Sequence, residues 1–283
     1  MKYRNTPMAD TWRRFCRNKA AVLGLIVFAI FLLVAIFADV IVDYQKCLTN
    51  TAAYLSPPSA EHLFGTDQLG RDVFARVIHG SRISLSVGVV ATMLTTVAGA
   101  LIGGIVGYYG GRVDDIIMRI LDAINCIPSM LLLLSIVTVM GANMVNMIIA
   151  LTIGTIPGMV RLVRSTVLSV SGMEYIQSAK AYGTSSLRII IKHVIPNAIG
   201  PIIITTAGNL SACILAAAAM SYLGFGVQPP TPEWGIILND ARNFMRTAPH
   251  LMIFPGVAIL LSAMSVNLMG DGLRDALDPR LKD

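Results

Sequence analysis

The chain has 283 residues, of which 55% are hydrophobic and only 13% charged, with a mean hydropathy of +0.69 and a formal charge of +6. A soluble domain carries roughly 25% charged residues, and a water-exposed fold of this length cannot bury so much apolar surface, so lipid must be the solvent for much of the chain. The positive excess reads as a signature of membrane orientation, because no basic and aromatic clustering of the nucleic-acid-binding kind is present, and the four scattered cysteines (Cys16, Cys47, Cys126 and Cys213) form neither a disulfide framework nor a metal centre.

Residues 1–19 form a basic tail with Arg13, Arg14, Arg17 and Lys19. The apolar run that follows, 20–38, exceeds the hydrophobic region of a signal peptide, and no small-residue cleavage site comes after it. It predicts an uncleaved first transmembrane helix over residues 20–42. A polar segment, 43–82, separates it from five further apolar stretches at 84–109, 116–140, 147–163, 198–223 and 251–269. Each is near the ~20 residues that cross ~30 Å of hydrocarbon. An open strand cannot satisfy its backbone in lipid, and the alternation of a membrane barrel is absent. The expected fold is therefore an all-α membrane protein with six transmembrane helices, the last five forming a core over 83–283. Most lysines and arginines fall on the side of the N-terminus. Only Lys46, Arg71, Arg76, Arg82, Arg242 and Arg246 fall on the other, a bias that places both termini and the loop 164–197 in the cytoplasm and the segment 43–82 outside.

Within these spans, Gly99, Gly103 and Gly107 make one small-residue face of the second helix, suited to close helix packing within the chain or against a neighbour. Asp115, Arg119 and Asp122 share a face of the third, where ion pairs along the helix are expected. Pro128, Pro157, Pro201 and Pro255 are candidate kinks. Asn209 is a candidate interhelical hydrogen-bonding residue. Pro229–Pro232 should be stiff and extended, with Trp234 suited to the membrane interface.

No phosphate-cradling G-x-x-x-x-G-K-[ST], no H-E-x-x-H and no G-x-S-x-G is present, and His62, His79, His193 and His250 are not spaced as metal ligands on one helix turn. The first, second and fourth spans hold no internal Asp, Glu or Lys. An ion-coupled transporter places ionisable groups in the membrane, so the reading is a non-enzyme whose energy comes from another protein. A self-sufficient secondary transporter or channel is the rival from another class.

The loop 164–197 is the informative segment. Residues 174–182 are mostly good helix formers, Gly183 breaks the run, and Thr184, Ser185 and Ser186 offer a new N-cap. A second short helix is expected over 187–195, with Pro196 ending it or opening the next element. Two short helices meeting at a glycine form an elbow that can press on a cytoplasmic partner. The same pattern also fits an amphipathic connector at the lipid surface.

This segment resembles the EAA loop of ATP-binding-cassette importer permeases, through Ala179, Gly183 and Pro196, and departs from it where Gln177-Ser178 replace Glu-Ala; Glu174 lies three residues earlier. The stretches His62-Leu-Phe-Gly-Thr-Asp-Gln-Leu-Gly-Arg-Asp72, Ser221-Tyr-Leu-Gly-Phe-Gly-Val-Gln-Pro-Pro-Thr-Pro-Glu-Trp-Gly235 and Gly270-Asp-Gly-Leu-Arg-Asp-Ala-Leu-Asp-Pro-Arg280 resemble the second permease of dipeptide, oligopeptide and nickel systems. The resemblance implies a type I importer permease fold with one peripheral helix. Its ATPase-coupling residues would be Glu174, Gln177, Ser178, Ala179, Gly183 and Pro196. It also implies a sister permease, two ATPase subunits holding ATP and Mg, and an extracytoplasmic binding protein in a bacterial or archaeal cytoplasmic membrane. The cargo it implies is di- or oligopeptides, or nickel.

Overall fold

Lipid offers the backbone no hydrogen-bond partner, so each apolar run satisfies its own N–H and C=O groups as helix. The computed structural model describes residues 7–49, 53–171, 173–189, 192 and 195–277. A short basic helix, α1 (Pro7–Arg17), precedes α2 (Lys19–Ile36), whose first turn is capped by Asn18 accepting from the amides of Ala20 and Ala21. After α3 (Ala38–Ile41) and a 3-10 turn at Tyr44–Cys47 come α4 (Val73–Tyr109), α5 (Gly111–Asn125), α6 (Ser129–Met140) and α7 (Met144–Ser171). The short α8 (Glu174–Ala181) and α9 (Ser186–Ile189) lead to α10 (Ile195–Tyr222), α11 (Trp234–Ala241) and α12 (His250–Leu277).

Among the described residues, five helices are long and apolar enough to cross a membrane: α2, α4, α7, α10 and α12; α5 and α6 make a sixth span if the bent pair is taken together. The single helix expected over 116–140 is broken, its halves meeting at 90°. Pro128 is the cause. It has no N–H to continue the ladder of α5 and its backbone is extended, so it starts α6 instead. Pro157, Pro201 and Pro255 remain inside their helices.

The second span begins at Val73, ahead of the expected 84, so the boundary drawn between 82 and 83 falls inside α4. Its first three turns carry Arg76, His79 and Arg82 and read as loop by hydropathy alone, yet Asp72 caps them by accepting from the Ala75 amide at 2.9 Å. Chain direction puts α1, the α4–α5 turn, α8, α9 and the end of α12 at one end of the bundle. Residues 42–49, 53–72, 141–143 and 223–249 lie at the other.

The glycine face of α4 packs within the chain, against α7. A Cβ at Gly99 would stand 2.5 Å from Met159 Cγ, one at Gly103 2.7 Å from the Val160 carbonyl oxygen, and one at Gly107 2.7 Å from Val167 Cβ. Hydrogen bonds cross the same three-helix junction, Thr95 to Thr155 at 2.6 Å and Thr96 of α4 to Thr206 of α10 at 3.0 Å. Helix α2 docks on α12 in a similar way, with Gly24 against the Ser265 carbonyl and Gly272 against Ala21.

At the far end, charged residues are buried in pairs. Asp67 accepts from Arg71 Nε and Arg76, both at 2.7 Å, and Asp240 of α11 accepts from the same two arginines at 2.7 and 2.9 Å. Asp72 also meets His62 Nδ1 at 2.9 Å. Glu233, fully buried, caps α11 by accepting from the Ile236 amide at 3.0 Å and takes a second hydrogen bond from Ser84 at 2.9 Å; burial pushes its carboxyl above the usual carboxylate range. Trp234, suited by type to a membrane interface, is covered by protein, with Nε1 donating to the Val77 carbonyl at 2.9 Å. The prolines before it form a turn with a cis Pro229–Pro230 peptide, where an extended segment was expected.

Because the atom facing Gly103 is a backbone oxygen, it cannot move aside for a side chain. Gly103→Ala is expected to destabilise the purified protein by about 1–3 kcal/mol, and Gly103→Leu to abolish the folded peak in fluorescence-detected size exclusion. Gly256→Ala, whose Cβ meets nothing within 4 Å, should leave the melting temperature unchanged or raise it.

Candidate functional site

The connection between α7 and α10 folds as the sequence predicts, as two short helices about a glycine. α8 ends in Ala181, the Tyr182 amide closes its last turn on the Ser178 carbonyl at 3.0 Å, and Gly183 turns the chain at φ +72°. That left-handed conformation is open to glycine and resisted by residues with a Cβ. α9 begins at Ser186, and Ile189 donates to the Ser185 carbonyl at 3.0 Å. The expected second helix, 187–195, is thus seen as Ser186–Ile189, and residues 190, 191, 193 and 194 lie outside the described residues. Pro196 does not end it. It sits in the first turn of α10, where its missing N–H removes no helix hydrogen bond.

Two isoleucines fasten this elbow to the bundle. Ile176 of α8 and Ile189 of α9 are completely buried, in a cluster with Met159, Val163, Val167 and Val170 of α7 and Ala198 and Ile202 of α10. Opposite them, Glu174, Gln177 and Ser178 are exposed on one face of α8, at spacings of three and four. Ala179 lies within α8, and Gly183 and Pro196 are exposed. The structure therefore gathers Glu174, Gln177 and Ser178 on the outer side of α8 and sets Gly183 at its tip. Pro196 stands apart at the root of α10. Sequence reasoning passed over Tyr182, which is 89% exposed beside Gly183. A large aromatic at the apex of an otherwise polar turn was the available signal.

The elbow hangs from α7, which is tied to α5 by two ion pairs. Arg164 grips Asp114 through Nε at 2.6 Å and a terminal nitrogen at 2.5 Å, and Arg161 reaches Asp122 at 2.6 Å. Asp122 thus pairs across to α7 and not along its own helix, and no ion pair joins Asp115 to Arg119 among the described residues. Tilted against α7, the acidic face of α5 meets arginines on the neighbour sooner than one on itself. Asn209 was expected to hydrogen-bond between helices, but its amide nitrogen finds no partner. The threonine pairs described above make the polar cross-links instead. Above the ion pairs, α6, α7 and α10 enclose a cavity of about 250 Å³, lined by residues that include Ser129, Leu151, Thr155 and Cys213.

Residues 99–283 match the family described as the binding-protein-dependent transport system inner membrane component. Residues 6–58 match the N-terminal transmembrane domain of oligopeptide transport permease C. The chain is similar to a dipeptide transport system permease protein of Alkalihalophilus pseudofirmus, 43% identical over 277 residues, 98% of this chain and 91% of the relative. It is also similar to a di/tripeptide transport system permease protein of Pseudomonas aeruginosa, 39% identical over 284 residues, 98% of this chain and 94% of the relative. A glutathione transport system permease protein of Escherichia coli O157:H7 is 42% identical over 280 residues, covering 98% of this chain and 92% of its own length.

Removing either staple should loosen the elbow without melting the bundle. Ile176→Ala deletes a fully buried side chain, a change worth about 2–5 kcal/mol in a packed core. Hydrogen exchange should then accelerate by more than tenfold across 174–189 while α4 and α12 keep their protection. Unchanged exchange in the loop would mean that the isoleucine does not hold it.

Proposed function

The chain belongs to the binding-protein-dependent transport system inner membrane family, and from that premise we propose that it is one of two permease subunits of an ATP-driven importer of short peptides. Its partners are a sister permease, two ATPase subunits that bind ATP and Mg, and an extracytoplasmic binding protein that delivers the cargo. Dipeptide, di/tripeptide and glutathione permeases among its relatives support a peptide over nickel. The lysine and arginine bias supports cytoplasmic termini and a cytoplasmic elbow.

The observation that carries the reading is the elbow itself, with Tyr182 and Gly183 standing out from the bundle while Ile176 and Ile189 are locked into it. Such a device transmits force. ATP binding draws the two ATPases together and shifts the elbow held in their groove. The two isoleucines carry that shift to α7 and α10. Helix α7 passes it to α4 along the glycine face and to α5 through Asp114 and Asp122, so that the passage opens alternately to either side. Gln177 and Ser178, where the family pattern has Glu-Ala, leave the contact face of α8 with Glu174 as its acidic side chain.

Gly183→Val tests the coupling. A β-branched residue at φ +72° is strained by about 1–3 kcal/mol, and none of the described residues comes within 4 Å of where a Cβ on Gly183 would stand. In proteoliposomes carrying the full transporter, the variant should assemble and retain basal ATP hydrolysis while ATP-driven uptake of dialanine falls by more than tenfold. Normal uptake would contradict the coupling role.

A further inference from the structure

The Asp122–Arg161 ion pair lies at a depth where lipid should not meet it. A Cβ on Gly103 would touch the Val160 carbonyl, the Val163 side chain and the Arg164 amide, so Arg161 is level with Gly103 of α4. Gly103 stands six residues above Tyr109, which with Tyr108 ends the helix as a pair of aromatic rings. Six residues of helix rise about 9 Å, and paired tyrosines mark the headgroup boundary. The ion pair therefore sits about 9 Å inside the level of these tyrosines, near the end of the fourth apolar run. Its side chains are nevertheless open on the surface of this chain, Arg161 at 43% and Asp122 at 60%. Asn125, turned so that its amide oxygen faces the guanidinium, adds contacts at 2.8 and 2.9 Å. Charges at this depth face water or protein, because hydrocarbon costs them several kcal/mol.

The direction in which the pair opens is set by α7. Gly154 and Thr155 line the cavity between α6, α7 and α10. Arg161 lies seven residues beyond Gly154, two turns along the same face, with Gly158 between them and nothing within 4 Å of where its Cβ would be. Cavity and ion pair thus belong to one continuous surface, apolar with hydroxyls above and ionic below.

We propose that this surface lines the peptide passage, with the cavity taking an apolar side chain of the cargo and the Asp122–Arg161 pair parting to bind its ammonium and carboxylate groups. This rests on the peptide-importer reading. The chemistry suits a zwitterion. Closed, the two side chains neutralise each other. Open, Asp122 takes the ammonium and Arg161 the carboxylate, so every charge keeps an opposite neighbour and the passage gains no net charge. A peptide blocked at both ends has nothing to exchange and should be a poor cargo.

The test uses the complete transporter in lipid nanodiscs, with Cys16, Cys47, Cys126 and Cys213 replaced by serine or alanine and Gly158→Cys introduced where there is room for it. A permanently charged methanethiosulfonate reagent should label the thiol of the Gly158→Cys variant at least tenfold faster than that of a Leu260→Cys variant, Leu260 being an apolar position on α12 that is 60% exposed. Dialanine should slow labelling of the Gly158→Cys variant severalfold in at least one of the nucleotide-free and ATP-trapped states. In proteoliposomes, Arg161→Gln and Asp122→Asn should each raise the half-saturating dialanine concentration at least tenfold, while the complete transporter still assembles. Combining the two neutral substitutions should not restore it, whereas a purely structural pair would be rescued. If the introduced thiol is beyond reach of the reagent in both states, in a transporter that still imports dialanine, this face lies against lipid or the sister permease and the site alone is overturned. Labelling that dialanine does not slow, with half-saturation unchanged in the variants, overturns it too. A wild-type transporter that imports no dialanine overturns the peptide reading and this proposal with it.

Discussion

The backbone contact between α4 and α7 is the constraint on which the rest of the structure depends. Lipid tails are as apolar as leucine, so helices in a bilayer gain little by hiding apolar side chains from them, and association rests on close packing and a few hydrogen bonds. Gly99, Gly103 and Gly107 bring the two backbones within reach of each other, and Thr95–Thr155 adds a polar tie at the same junction. Helices joined this closely move as one body. Since α7 carries the elbow, and its lower half carries the arginines that hold α5, one seam links the elbow to the helices that bound the cavity.

The opposite end is organised by a different force. Asp67, Arg71 and Arg76 are buried charges, completed by the half-buried Asp240, and burying charge is costly unless its partners are present. Their value lies in specificity. Two arginines spaced by five residues can satisfy both carboxylates only if the segment before α4, the first turn of α4 and α11 adopt one arrangement. Glu233 and Trp234 extend the same logic to the root of α11, where Ser84 bridges the Glu233 carboxylate and the Trp234 amide. The polar motif from His62 to Asp72 is thus architecture for the end of the bundle opposite the elbow, where it holds α11 in place.

Much of this was legible in the sequence. The apolar runs, their helical state and the elbow at Gly183 follow from hydropathy, backbone satisfaction and glycine's freedom at positive φ. The glycine face of α4 was visible too, although only the structure shows that α7 is what it meets. What escaped detection was long-range. A hydropathy window cannot tell that Arg76 and His79 are helix with buried partners, so the start of α4 was missed. Pro128 was noted as a kink, but four prolines look alike in sequence and only this one sits where a helix turns by 90°. The partner of Asp122 lies 39 residues away on α7, beyond any rule of local spacing. Trp234 illustrates the same limit, since interface tryptophans and buried ones differ only in what surrounds them.

On the proposed function, this chain works as one part of a larger machine, driven through the elbow by proteins that hydrolyse ATP. Native mass spectrometry of the tagged chain tests it most directly, after expression with its neighbouring genes and purification in mild detergent. The expected result is an assembly of this chain with one related permease and two ATPase subunits. A chain that emerges alone, from cells shown to make those partners, would contradict it and favour a transporter that supplies its own energy.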